Sequence, residues 1–334
     1  MEDQKTPFVL PTDHPVIVEI RNRIAGKPTP ETRLALSIEG GGMRAVISSG
    51  MCSALESYGI SAAIFDEIYG SSAGSVIAAF FAAAQIRMGT PVFYEDITDK
   101  RFIRKSWPLV GKPPMNIEFL VYDVIVNSKP LNWKAAISGR KLRIIATDVD
   151  EAKSTTLGPP ESKEELQAFL RASQTIPLIA GRPYKLGGQR FFDASISEAI
   201  PWETPVASGA THVLVLSSRP LGQSKAKSAA TTALRKIWTY NTSDKLKSLA
   251  AQRVELSADR ALTLKNMTLS PEEYGPFVYA ICPQTGDVSP GQLEQSAEVL
   301  KSACASGFRA VARAFGRDEP KEFVTDSFFD RLER

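Results

Sequence analysis

Short apolar-rich runs, separated by longer stretches with one apolar and one polar face, recur along this chain from Leu34 onward. Leu34–Ile38, Phe65–Tyr69, Leu142–Thr147, Arg190–Phe192, Val213–Ser217 and Phe277–Cys282 have the length and composition of buried strands. Helical spacing covers Ala45–Tyr58, Ala73–Gln85, Lys163–Ser173 and Pro290–Phe315. Strands alternating with helices predict an α/β fold whose mainly parallel central sheet is covered on both faces. Residues 1–33 are polar and hold five prolines, so they are expected to form a leader or linker with one short helix over Val16–Ile24. Residues 34–334 are expected to form one domain, with a helical C-terminal extension from about Gly222.

Two turns in this pattern carry chemistry. The first strand runs into Glu39-Gly40-Gly41-Gly42-Met43-Arg44. Three glycines leave their backbone N–H groups open to an anion, either an oxyanion or a phosphate. A P-loop lysine is missing, and Ala45 occupies the last glycine position of a dinucleotide fingerprint, which argues against a nucleotide. The second strand runs into Gly70-Ser71-Ser72-Ala73-Gly74, a G-x-S-x-G turn leading into an Ala-rich helix. A serine on such a strand-to-helix turn is exposed as a nucleophile, and the helix N-terminus adds partial positive charge. Ligands bind at the carboxyl ends of strands in sheets of this kind, so both turns converge on one edge. Ser71 falls at the wrong position of the turn, and Ser75 reads as helix surface or a local cap.

The histidine count narrows the mechanism. Only His14 and His212 exist. His14 lies in the proline-rich start, and His212 enters a strand from the amino edge, about 17 Å of strand away from the active edge. A carboxylate must then serve as the base for Ser72. Asp193, after the apolar pair Phe191-Phe192, is one candidate; Asp148 and Asp150, after another strand, are the others.

Glu-Gly-Gly-Gly-Met-Arg at 39–44, Gly-Ser-Ser-Ala-Gly at 70–74 and Phe-Phe-Asp-Ala at 191–194 resemble, in order, the three motifs of patatin-like phospholipases. Arg171–Pro177 resembles the family segment that precedes the aspartate. The resemblance covers about residues 34–220. It implies a three-layer α/β sandwich and hydrolysis of lipid acyl esters by a Ser72–Asp193 dyad. Gly40, Gly41 and Gly42 would supply the oxyanion hole, with Arg44 nearby, either orienting the Ser72 loop or binding the substrate at a lipid phosphate. Ala45 and Ala194 stand where the family usually has glycine. Acyltransfer or thioester hydrolysis on the same site, or lipid binding with weak catalysis, are the alternative readings.

Composition fits a globular chain of 334 residues, with 43% apolar and 23% charged residues. A net charge of +3 gives no argument for nucleic acid. Cys52, Cys282 and Cys304 share no ligand spacing, which suggests a reducing compartment or no redox role, and no metal or other cofactor is expected. The start of the chain shows no apolar signal region and no run reaches transmembrane length, which predicts a cytoplasmic protein with, at most, peripheral membrane contact. Lys100–Trp107 mixes cations with aromatics, and residues 222–266 hold nine Lys/Arg against three Asp/Glu. Both stretches suit an anionic headgroup layer.

Overall fold

A computed structural model describes residues 9–224, 242–271 and 275–317. Among these, eight strands form one sheet. In chain order they are β1 (Leu34–Ile38), β2 (Glu67–Ser71), β3 (Leu142–Asp148), β4 (Lys153–Leu157), β5 (Tyr184–Leu186), β6 (Gln189–Asp193), β7 (His212–Leu216) and β8 (Phe277–Ile281). Their order is β5-β6-β3-β2-β1-β7-β8, with β4 paired to β3 off this path. The run β3-β2-β1-β7-β8 is parallel, whereas β4, β5 and β6 are antiparallel to their neighbours. The longer helices are α1 (Pro15–Ile24), α2 (Val46–Ser57), α3 (Ala73–Ala82), α4 (Lys163–Gln174), α5 (Asp244–Leu269) and α6 (Ala297–Ala314).

Strand alternation explains the three layers. Leu34, Leu36 and Ile38 of β1 join Ile68, Leu214, Leu216 and Ile281 in a core shared with α1, α2, α3, α4 and α6. The residues between them point the other way. Ala35, Tyr69, Ile145, Val213, Val215 and Val278 meet Ala261, Leu264 and Met267 of α5. Each central strand is apolar on both faces because both faces are covered. The α/β sandwich with a mainly parallel sheet is the architecture that the pattern and the resemblance imply.

The short helix expected over Val16–Ile24 is present as α1, and it packs with the domain: Val16, Ile17 and Ile20 are fully buried in the main core. His14 caps this helix, accepting from the Val16 N–H at 3.2 Å. After Gly222 the chain supplies strand β8, expected over Phe277–Cys282, helix α6 against α2, and helix α5, which packs on one sheet face, so this part is integral to the sheet. Residues 225–241 of the basic C-terminal stretch lie outside the described residues. Helix α6 starts at Ala297, later than expected, with the Ser296 hydroxyl accepting from the Val299 N–H as its cap. The three cysteines are buried free thiols. No helix among the described residues is long and apolar enough to cross a membrane.

Candidate active site

Strand β3 brings two distant turns together. Its residues Ile144–Asp148 pair with β4 along one edge. On the other edge, Leu142–Ile145 pair with β2 and Ala146–Asp148 with β6. Those two strands run in opposite directions and meet end to end: Ile145 faces Ser71, and the next residue, Ala146, faces Asp193. Ser72 follows at once. So the G-x-S-x-G turn and Asp193, separated by more than a hundred residues in sequence, abut at one point of the sheet.

Ser72 is the N-cap of α3 and has a positive φ of 53°. Such a backbone is rare outside glycine and is held by its surroundings. The Ser72 N–H donates to Ser173 Oγ at 2.8 Å, and Ser173 Oγ donates to the Ile145 carbonyl at 2.6 Å. The Ser75 N–H and hydroxyl both donate to the Ser72 carbonyl, so Ser75 is a local cap. The end of α4 also holds Asp193, whose N–H donates to the Thr175 carbonyl at 2.9 Å. Asp193 is fully buried. Its Oδ1 accepts from the Ser195 N–H at 2.9 Å, while Oδ2 is buried without a hydrogen-bond partner.

Gly40 lies against Ser72: a Cβ on it would sit 2.6 Å from the Ser72 Cβ, so only glycine fits. Among the described residues, the N–H groups of Gly41 and Gly42 meet no acceptor. Gly40 N–H makes a long contact with Ser71 Oγ at 3.4 Å, and Met43 N–H donates to the Gln292 carbonyl at 3.2 Å. The loop is anchored by Glu39. Its carboxylate accepts from the Ser217 hydroxyl, the Ser218 N–H and Arg219, the last at 3.0 Å. Arg44 is buried behind the loop, with Nη2 2.6 Å from where a Gly41 Cβ would lie. It donates from Nε to Ser218 Oγ at 3.1 Å, and Nη2 has no partner. Burial, helped by Arg219 and opposed by Glu39, pushes the Arg44 pKa down to about 10. Arg44 is not among the residues lining the two cavities at Ser72. Ala45 and Ala194 are both fully buried in the cores, so their methyl groups are accommodated.

Ser72 stands where two cavities meet. One, about 280 Å³ of empty space, is polar and lined by Gly40, Gly41, Asp193, Ser195 and Arg219. The other, about 420 Å³, is apolar and lined by Val76, Val92, Phe93, Ile97, Phe102 and Leu120. Both volumes include the parts open to solvent.

The rival carboxylates are occupied elsewhere. Asp148 Oδ1 accepts from the Asp150 and Glu151 N–H groups at 2.8 and 2.9 Å, closing the turn after β3. Asp150 pairs with Arg190, a hydrogen bond that holds its carboxyl below the ordinary range. Neither lines the cavities at Ser72. His212 pairs with Leu34 at the amino edge of the sheet, and His14 Nε2 lies 3.2 Å from the Met267 carbonyl. Sequence reasoning assigned no role to Ser173, Arg219 or Arg253. Ser173 lies within Arg171–Pro177, so a hydroxyl at the end of that helix was visible; Arg219 gave no signal, and Arg253 entered only as one cation of the basic stretch 222–266.

Uncharacterized protein YjjU of Escherichia coli (strain K12) is 25% identical over 198 residues, covering 58% of this chain and 54% of the relative. The chain thus spans about half the length of that relative. A sequence model of patatin-like phospholipases matches residues 36–206, just over half of the chain. That span runs from β1 through the glycine loop, the Ser72 turn and the β6 aspartate, and by it the chain belongs to the patatin-like phospholipase family.

Proposed function

We propose that this protein hydrolyses lipid acyl esters with Ser72 as nucleophile and Asp193 as its base. The observation that carries this reading is that Asp193, whose buried Oδ2 has no hydrogen-bond partner, lines the same cavity as Ser72, which also lines the apolar one. Ser72 Oγ attacks the ester carbonyl carbon as its proton passes to Asp193. Gly41 and Gly42 N–H groups hold the oxyanion, while Gly40 provides the close approach to Ser72. One such donor lowers the barrier by about 3 kcal/mol. Collapse expels the alcohol, which takes the proton back from Asp193. Water then attacks the acyl-enzyme, gives a proton to Asp193, and releases the fatty acid as Ser72 is reprotonated. Arg44 acts from behind, setting the shape and charge of the glycine loop. No step calls for a metal or organic cofactor.

The apolar cavity suits an acyl chain, and the segment beside it suits a membrane. Phe102 and Met115 line that cavity, while Lys100, Arg101, Arg104, Lys105 and Lys112 of the same segment are exposed. No carboxylate lies between Lys100 and Met115, and Leu109 is 88% exposed. Cations around exposed apolar groups favour an anionic lipid surface.

A fluorophosphonate probe with the labelled residue mapped, followed by a panel of phospholipids, lysophospholipids and acyl thioesters, tests the reading. Labelling at Ser72 with release of fatty acid is expected. Labelling elsewhere, or lipid binding without turnover of any ester, would overturn it.

A further inference from the structure

The turn after Asp193 is gripped by a residue outside the span that the family model matches. Arg253, on α5, donates from Nε to the Ser195 carbonyl at 2.9 Å and from Nη2 to Ser195 Oγ at 3.2 Å. The Ser195 N–H in turn donates to Asp193 Oδ1. One residue therefore separates the guanidinium from the buried carboxylate. Helix α5 does not need Arg253 in order to dock. Leu246 packs with Val149, Phe192 and Ile196, and the Ser243 hydroxyl donates to the Val149 carbonyl at 3.2 Å.

Placing a cation there is costly. Burial pushes the Arg253 guanidinium below its ordinary pKa; the Asp193 charge opposes this and Arg219 adds to it. The charged groups facing Asp193 are Arg253 from α5, Arg219 after β7 and Glu39 of the glycine loop. From β3 and α4 come only the uncharged Thr147 and Thr175. Arg219 is matched by Glu39 at 3.0 Å. Arg253 is, among the described residues, the cation beside Asp193 with no ion pair of its own.

Resting on the Ser72–Asp193 reading above, we propose that Arg253 is a positioning residue for the base. Its two donors fix Ser195, whose N–H orients Asp193 through Oδ1 while Oδ2 stays free for the Ser72 proton.

The test is kcat and KM, measured separately for p-nitrophenyl butyrate in the wild type, Arg253→Gln and Arg253→Lys, with folding checked by thermal melts. A residue that positions the base acts on the chemical step, so Arg253→Gln is expected to lower kcat about tenfold per folded molecule with KM nearly unchanged. Arg253→Lys keeps one donor toward Ser195, so its kcat should lie between those of Gln and wild type. A wild-type kcat in a folded Gln variant, a raised KM at unchanged kcat, or a Lys variant no better than Gln overturns the proposal. If the Gln variant does not fold, the Lys variant decides alone: a lower kcat at unchanged KM supports the proposal and any other outcome overturns it. Hydrolysis surviving in Ser72→Ala would instead remove the reading on which the proposal rests.

Discussion

The backbone N–H of Ser72 is held by the hydroxyl of Ser173, 2.8 Å away at the end of α4. The same hydroxyl donates to the Ile145 carbonyl, so one side chain ties the strained turn to the sheet. Ser173→Ala leaves a buried N–H and a buried carbonyl unmatched. It should cost about 1–3 kcal/mol of stability, read as a lower urea midpoint. It should also lower kcat about tenfold in the folded fraction, as a donor-acceptor bridge of about 1.4 kcal/mol is lost. Unchanged kcat would show that the turn holds itself.

Ser72→Ala should abolish hydrolysis of p-nitrophenyl esters and fluorophosphonate labelling while leaving the melting temperature nearly unchanged. The Ser72 groups that take part in hydrogen bonds are its N–H and carbonyl, both kept by alanine. Full activity in the purified mutant would sink the assignment.

Asp193→Asn keeps the shape and the Oδ1 contact but loses basicity, so kcat should fall at least about 10²-fold. Asp148→Asn should act on stability instead, since Asp148 closes the turn after β3. A reversed pattern, with kcat lost in Asp148→Asn alone, would make Asp148 the base.

Neither histidine faces the site, so His14→Ala/His212→Ala should keep activity within about tenfold per folded molecule; a triad member would cost on the order of 10⁴-fold. Stability should suffer, because His14 is buried against Tyr279 and caps α1. Burial also depresses the His212 pKa. The unfolded chain then binds the proton more readily, so its contribution is intact above the unfolded value of about 6.5 and is lost as pH falls toward the lower folded value. Melting temperatures from pH 7 to pH 5 should fall less steeply in His212→Gln than in the wild type.

Vesicle binding should rise with the fraction of anionic lipid and weaken with salt, since exposed charges are screened over about 8 Å at physiological ionic strength. Arg104→Ser/Lys105→Ser/Lys112→Ser should remove most of the anionic preference and leave hydrolysis of a small ester in solution intact. Equal co-sedimentation with neutral and anionic vesicles would make these residues ordinary surface.

The core strands and the two chemical turns were legible because each writes itself locally: an apolar run, then glycines or G-x-S-x-G. Strands β4 and β5 were not. Lys153-Ser-Thr-Thr-Leu157 and Tyr184-Lys-Leu186 lie in the outer, half-exposed part of the sheet and carry no apolar run. The chemistry of Arg253 and Arg219 was hidden for another reason. Their meaning comes from what a distant helix or loop leans on, and no spacing in the chain encodes that. Helix α1 was legible as a helix, but its packing into the core through Val16 and Ile20 was not.

The end-to-end meeting of β2 and β6 beside β3 has a consequence for the life of the chain. Strand side chains alternate, so a slip of β6 by one residue would turn Asp193 to the opposite face of the sheet. On the proposed reading, an ester-cleaving serine exists only after segments 121 positions apart have found their correct register. On that reading, a chain without this register holds the serine and its carboxylate apart, and the fold acts as its own safety catch.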